Sequence, residues 1–163
     1  MLLLLSTWVG LVGLHHISPL ILLAVLATVW IADSAAYFAG KRFGRHKLAP
    51  EISPGKTWEG VAGAIVGVTI YGVILSCSMH YDLSLSLVLI LMLWLIVVFS
   101  IMGDLFESLL KRQAGIKDSS QLLPGHGGVL DRIDGLIPSL PLVLFAIYFP
   151  LYSPIISKLN LHA

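Results

Sequence analysis

Four apolar runs long enough to cross a bilayer constrain this chain more than any other feature. They cover Ile17–Gly40, Val61–Met79, Leu83–Gly103 and Leu136–Ser157. A spanning helix needs about 20 apolar residues, and backbone in lipid must satisfy its own hydrogen bonds, so each run predicts a membrane helix. The third carries no charge over 21 residues and the fourth none over 22, while Asp33 alone interrupts the first. Charged residues make up 12% of the 163-residue chain, half the share of about 25% with which a soluble domain covers its surface. Lipid must be the solvent for most of the side chains. The expected fold class is all-α, a polytopic integral membrane bundle of about four full spans. Met1–Leu14 adds a partial one, too short alone and ending at His15-His16. It reads as the remnant of a longer helix or as one arm of a hairpin.

Between the runs lie two polar segments, Lys41–Gly60 and Asp104–Gly135, which hold nine of the ten basic residues. Basic loops stay on the cytoplasmic side. Two spans separate these segments, so both emerge on one face of the membrane. The Met79–Leu83 turn and Lys158 then lie on the other. A net charge of +1 creates no field that would favour nucleic acid, and no nucleic-acid partner is expected. Cys77, the single cysteine, has no partner for an internal disulfide and reads as an inert small hydrophobe. Gly60, Gly63, Gly67 and Gly72 line the second span at intervals of three to five. Such spacing lets helices approach closely, either within the protomer or across a homodimer.

The acidic residues carry more information. Asp104 and Glu107 stand at i, i+3 where the third span meets the cytoplasm, and Asp131 and Asp134 repeat the spacing before the fourth. Each pair shares one helix face. Each is either a solvated helix end or half of an oxygen-only site for a hard cation such as Mg²⁺, which takes one or two carboxylates and completes its shell with substrate phosphates. The loop between the pairs contains Lys111, Arg112, Lys117, Asp118, Ser119, Ser120, Gly125, His126, Gly127, Gly128 and Arg132. Glycines there free backbone amides to face an anion, the basic side chains supply cations and the serines supply hydroxyl donors. This mixture suits a polyphosphate bridged by metal. His126 is ambiguous, because a lone loop histidine usually makes hydrogen bonds and Mg²⁺ avoids imidazole.

The earlier segment contains Ser53-Pro54-Gly55-Lys56-Thr57. Its Gly-Lys-Thr is not a Walker A motif, which needs a glycine five places before the second one and a strand ahead of it. Position 50 is Pro, and a membrane helix precedes it. Ser53, Lys56 and Thr57 form either a phosphate or nucleotide clamp or part of a basic patch that grips lipid headgroups. Asp33 lies eight residues before Lys41, about 12 Å into the helix. An ionisable group at that depth points to a functional site, with a structural, hydrogen-bonded aspartate as the alternative.

Ser108-x-Leu110-Lys111-Arg112-x4-Lys117-Asp118-x-Ser120-x-x-Leu123-Pro124-x-His126-Gly127-Gly128-x-x-Asp131-Arg132-x-Asp134 resembles the signature of the phosphatidate cytidylyltransferase family at every fixed position, over 27 residues. The stretch from Asp33 through Lys47-Leu-Ala-Pro and Ser53-Pro-Gly-Lys-Thr-Trp-Glu-Gly60 is similar to the same family. The resemblance implies a single integral-membrane catalytic region over residues 1–163, the C-terminal part of a longer fold, since family members usually carry further helices ahead of it. It implies synthesis of CDP-diacylglycerol and pyrophosphate from CTP and phosphatidic acid with Mg²⁺, and room for a second cation, at the cell membrane. Asp104 and Asp131 would be the principal metal carboxylates, supported by Asp118 and Asp134, and the Lys/Arg set would hold phosphates.

Two other readings stand beside it. A CTP-dependent polyprenol or phytol kinase has a similar organisation, but would want a base to activate a hydroxyl. An ion-coupled transporter could use Asp33 and Asp104 as intramembrane carboxylates, yet would seldom need a 30-residue Gly/Lys/Asp loop.

Overall fold

Pro19 lies near the start of the apolar run Ile17–Gly40, and the computed structural model, which describes residues 2–116 and 133–148, shows that it opens a helix. Helix α1 (Leu2–Ile17) ends at Ser18, whose backbone is extended, and α2 (Pro19–Phe43) begins at once. Proline suits a first helical position because its missing N–H would have no partner there. A short hairpin of β1 (Lys47–Ala49) and β2 (Ser53–Thr57) follows, then α3 (Trp58–Ser78), α4 (Leu83–Gln113) and α5 (Leu136–Tyr148). Helices α2, α3 and α4 are long and apolar enough to cross a membrane. The chain is a polytopic helical membrane protein. Trp8, Leu20, Trp30 and Phe145 are all more than half exposed, an apolar surface that only lipid would solvate well.

Two features differ from the sequence expectation. Helix α4 does not stop at Gly103 but runs ten residues further, to Gln113. At 1.5 Å per residue its 31 residues measure about 46 Å against a hydrocarbon core of about 30 Å, so its last turns project beyond the lipid. Those turns are stable as helix because Glu107 and Lys111 pair at i, i+4 (3.6 Å) and because Lys111 and Arg112 face the negative end of the helix dipole. The second difference lies in the 41–60 segment, which is not all loop. Lys47 pairs with Thr57 and Ala49 with Ser53 in an antiparallel ladder.

The core lies where α2, α3, α4 and α5 meet, around Val29, Ala64, Val68, Val97 and Leu140. Small residues bring α2 and α3 together. A Cβ at Gly60 would lie 3.0 Å from the Ala36 carbonyl, one at Gly67 2.8 Å from Ala35 Cβ, and one at Gly63 would collide with Ala39 Cβ. Gly72 faces Leu93 and Ile90 of α4 instead. The glycine stripe is therefore covered within the chain, and a dimer would need another surface. Trp94 on α4 donates its indole N–H to Thr69 on α3 (2.9 Å).

Helix α5 contains Pro141, which cannot donate to the carbonyl of Ile137 four residues earlier. Thr7 of α1 reaches that carbonyl (3.1 Å), sharing its one hydroxyl hydrogen with Leu3 O (2.7 Å). Gly10 permits the approach, since a Cβ there would stand 2.9 Å from the Pro141 nitrogen. Gly103 does the same for the other end of α5, where a Cβ would meet the Asp134 carbonyl at 2.6 Å and the Pro138 ring at 2.7 Å. That contact seats Asp134 beside Asp104.

Candidate functional site

A cavity of about 480 Å³ opens where α2, β2, the first turn of α3 and α4 converge. Helix α2 contributes Asp33, Tyr37 and Lys41 to its wall, β2 contributes Ser53, Lys56 and Thr57, and α4 contributes Ser100 and Asp104. The hairpin reaches this position through four fastenings. Lys56 Nζ makes a short ion pair with Asp104 Oδ2. Arg112 Nε donates to the Ile52 carbonyl at the hairpin turn (3.3 Å). His46 contacts Glu59 through its ring Nδ1 (2.7 Å) and donates its backbone N–H to the same carboxylate (3.2 Å). Thr57, 5% exposed, accepts the Gly60 N–H on its hydroxyl (3.1 Å) and so caps α3.

Asp104 is the centre of the arrangement. On the cavity side it meets Lys56, and its negative charge is felt by Asp33. On the other side it faces Asp134. Burial, and next the negative charge of Asp104, push the Asp134 carboxyl up to about 6, although the Gly135 N–H it accepts (2.7 Å) pulls the other way. One turn further along α4, Glu107 is buried at 6% exposure, with Lys111 as its ion-pair partner. Asp104, Glu107 and Lys111 stand at i, i+3 and i+7, on one helix face. Among the described residues, no three carboxylate, His or Cys side chains close on a single point as a metal cluster.

The structure thus brings Asp33, Ser53, Lys56, Thr57 and Asp104 to one cavity and sets Asp134 and Glu107 next to Asp104. Arg112 is exposed and engaged with the hairpin turn. Lys117, Asp118, Ser119, Ser120, His126, Gly127, Gly128, Asp131 and Arg132 lie outside the described residues. Sequence reasoning did not place Tyr37, Lys41 or Ser100 at the site. The signal was present as spacing, since Tyr37 and Lys41 follow Asp33 at i+4 and i+8, and Ser100 precedes Asp104 by four.

The sequence profile described as "Cytidylyltransferase family" matches residues 2–150 of the chain. The chain belongs to the cytidylyltransferase family. Among similar proteins, the phosphatidate cytidylyltransferase of Pseudomonas aeruginosa is 49% identical over 143 residues, which cover 86% of this chain and 53% of that protein. That of Haemophilus influenzae is 45% identical over 135 residues, covering 80% of this chain and 46% of the relative. This cytidylyltransferase-family chain thus spans about half the length of the curated relatives it matches. Its fold resembles a solved structure described as an intramembrane enzyme for archaeal membrane lipid biosynthesis, with a TM-score of 0.55 at 23% identity, over 85% of this chain and 88% of that one.

Proposed function

We propose that the chain carries the catalytic region of a phosphatidate cytidylyltransferase, transferring the cytidylyl group of CTP to phosphatidic acid. A phosphate oxygen of the lipid attacks the α-phosphorus of CTP. The bond from that phosphorus to the oxygen bridging it to the β-phosphate breaks, and pyrophosphate leaves with the electron pair. The observation that carries the reading is the meeting of Lys56, Asp104 and Asp33 in one cavity at the ends of membrane-spanning helices. Its family membership and the identity of its relatives support the same assignment.

The chemistry asks for little acid–base machinery. A phosphomonoester has its second pKa near 6, so phosphatidate is already an anion at neutral pH and needs no base to generate it. The obstacle is repulsion between two anions, and transfer of this type rests on positioning and charge neutralisation. Lys56 neutralises phosphate charge in the cavity, and its short tie to Asp104 fixes where that charge sits. Ser53 offers a hydroxyl on the same wall, and the hairpin fastenings keep both from drifting. Lys111 and Arg112 in the last turn of α4, with Lys117 and Arg132 beyond it, would serve the leaving pyrophosphate.

Asp104 and Asp134 suit a divalent cation by their chemistry. They are oxygen donors close enough for one charge to raise the proton affinity of the other, a repulsion that a hard cation relieves. Mg²⁺ held by Asp104 and Asp131, with Asp134 and Glu107 adjoining, would supply charge neutralisation at the transferring phosphorus. The site is proposed to face the cytoplasm of the cell membrane, in keeping with nine of ten basic residues in the two polar segments.

The test is incubation of the membrane-reconstituted chain with CTP labelled at the α-phosphate, phosphatidic acid and Mg²⁺. Label moving into a CDP-lipid supports the reading. Release of labelled CDP with no CDP-lipid would instead indicate a CTP-dependent lipid kinase and overturn it.

A further inference from the structure

Two lysines line the cavity among the described residues, and they are differently occupied. Lys56 is bound to Asp104. Lys41 has no carboxylate within ion-pair distance among the described residues. Its ammonium instead stands 5.6 Å from the centre of the Tyr37 ring. A ring face attracts the cation but brings no negative charge, so no described residue takes the place of an anion at the ammonium. Asp33, Tyr37 and Lys41 form one stripe along α2 at i, i+4 and i+8, which puts Lys41 about 12 Å from Asp33 along the helix axis. Lys41 is therefore at the mouth and Asp33 in the depth.

The mouth lies at a recognisable level. Tyr37, Phe38, Phe43 and Trp58 are each about 60% to 70% exposed and cluster at the end of α2 and the start of α3. Exposed tyrosine and tryptophan such as Tyr37 and Trp58 mark the layer of lipid headgroups, and a lysine there snorkels into it. Arg42, Arg45 and Lys47 are also exposed at this end but do not line the cavity. Lys41 alone of these faces both the headgroup layer and the site.

We propose that Lys41, steadied by the Tyr37 ring, is the docking cation for the phosphomonoester of an anionic lipid that enters the cavity from the bilayer. The identification of that lipid as phosphatidate rests on the proposed reaction. A phosphomonoester carries close to two negative charges at pH 7, and its pairing with an ammonium is a charge-assisted contact. The lipid phosphate is held at the mouth by Lys41 while its glycerol and acyl chains remain on the lipid side of α2.

The experiment measures equilibrium binding to the full chain in detergent micelles, with dioctanoyl phosphatidate, dioctanoylglycerol, CTP and inorganic phosphate as separate probes. The unmodified chain is expected to bind phosphatidate about tenfold more tightly than dioctanoylglycerol, which lacks only the phosphate. Lys41→Gln should remove most of that difference, Lys41→Arg should keep it, and Tyr37→Leu should reduce it by a smaller factor. CTP affinity should be the same in all four proteins. Lys41→Met, which keeps the apolar stem over the ring, replaces Lys41→Gln should the latter fail to fold. Unchanged phosphatidate affinity in the glutamine or methionine variant would overturn the assignment. So would a loss that falls on CTP alone, or inorganic phosphate binding as tightly as phosphatidate. Binding through Lys41 with no CDP-lipid formed would remove the proposed reaction and leave the docking site, whereas CDP-lipid formation with no effect at Lys41 would do the reverse.

Discussion

Lys56 on the hairpin and Asp104 on α4 form a direct ion pair across the cavity, 48 positions apart in sequence. It joins the hairpin to α4 near the level where that helix leaves its uncharged run. One side chain of the pair is therefore placed by the other. Asp104→Asn keeps the shape and removes the charge, so it is expected to lower CDP-lipid formation by about 100-fold or more. Lys56→Ala should be comparable, and Lys56→Arg should retain part of the rate. Initial rates with labelled CTP check this, and near-normal turnover in Asp104→Asn would remove the carboxylate from the machinery.

Gly63 offers a test of the α2–α3 contact. A methyl group there would collide with Ala39 Cβ, whereas at Gly55 it would meet nothing within 4 Å. Gly63→Ala is expected to cost about 1 to 3 kcal/mol through overpacking, and Gly55→Ala close to nothing. Thermal unfolding of both variants in the same detergent gives the comparison, and equal melting temperatures would contradict the packing.

Asp134 predicts a pH dependence. Its folded carboxyl stays protonated up to about 6, above its ordinary value of 3.8. The folded chain thus holds this proton more tightly than the unfolded one. The resulting stabilisation is complete below the ordinary value and is lost as pH rises through about 6. In the presence of a chelator, melting temperature should fall between these two pH values, and Asp134→Asn should flatten that slope. A slope unchanged by the substitution would mean that another group is responsible.

Thr7→Val removes the hydroxyl shared between Leu3 O and Ile137 O while keeping the side-chain volume. Hydrogen bonds between membrane helices average about 0.6 kcal/mol, so a small but measurable loss of stability is expected. Thr7→Ser, which keeps the donor, should behave nearly as the unmodified chain in the same unfolding measurement.

The membrane helices were legible because lipid imposes one simple demand, and uncharged runs such as Leu83–Gly103 meet it. Their ends were less so. Ser108–Gln113 read as loop because charges mark the membrane boundary, yet charge does not stop a helix, and Glu107 with Lys111 extends it. The hairpin was hidden for a different reason. Pro54 and Gly55 are turn residues by propensity, and β2 includes both; Asp104 on α4 holds that strand through Lys56, and Arg112 holds the preceding turn at Ile52. Asp33, Asp104 and Lys56 stood out individually by depth or spacing, but their meeting in one cavity depends on α2 seating on α3, which the glycine spacing permits without naming α2 as the partner.

Pro141 leaves a gap in the bonding of its own helix that Thr7 fills from α1. Synthesis runs from the N-terminus, so Thr7 has already been made when the proline-bearing segment leaves the ribosome. A donor for the carbonyl that Pro141 leaves unpaired therefore exists before that carbonyl does. In chain order, the donor precedes the acceptor that it serves.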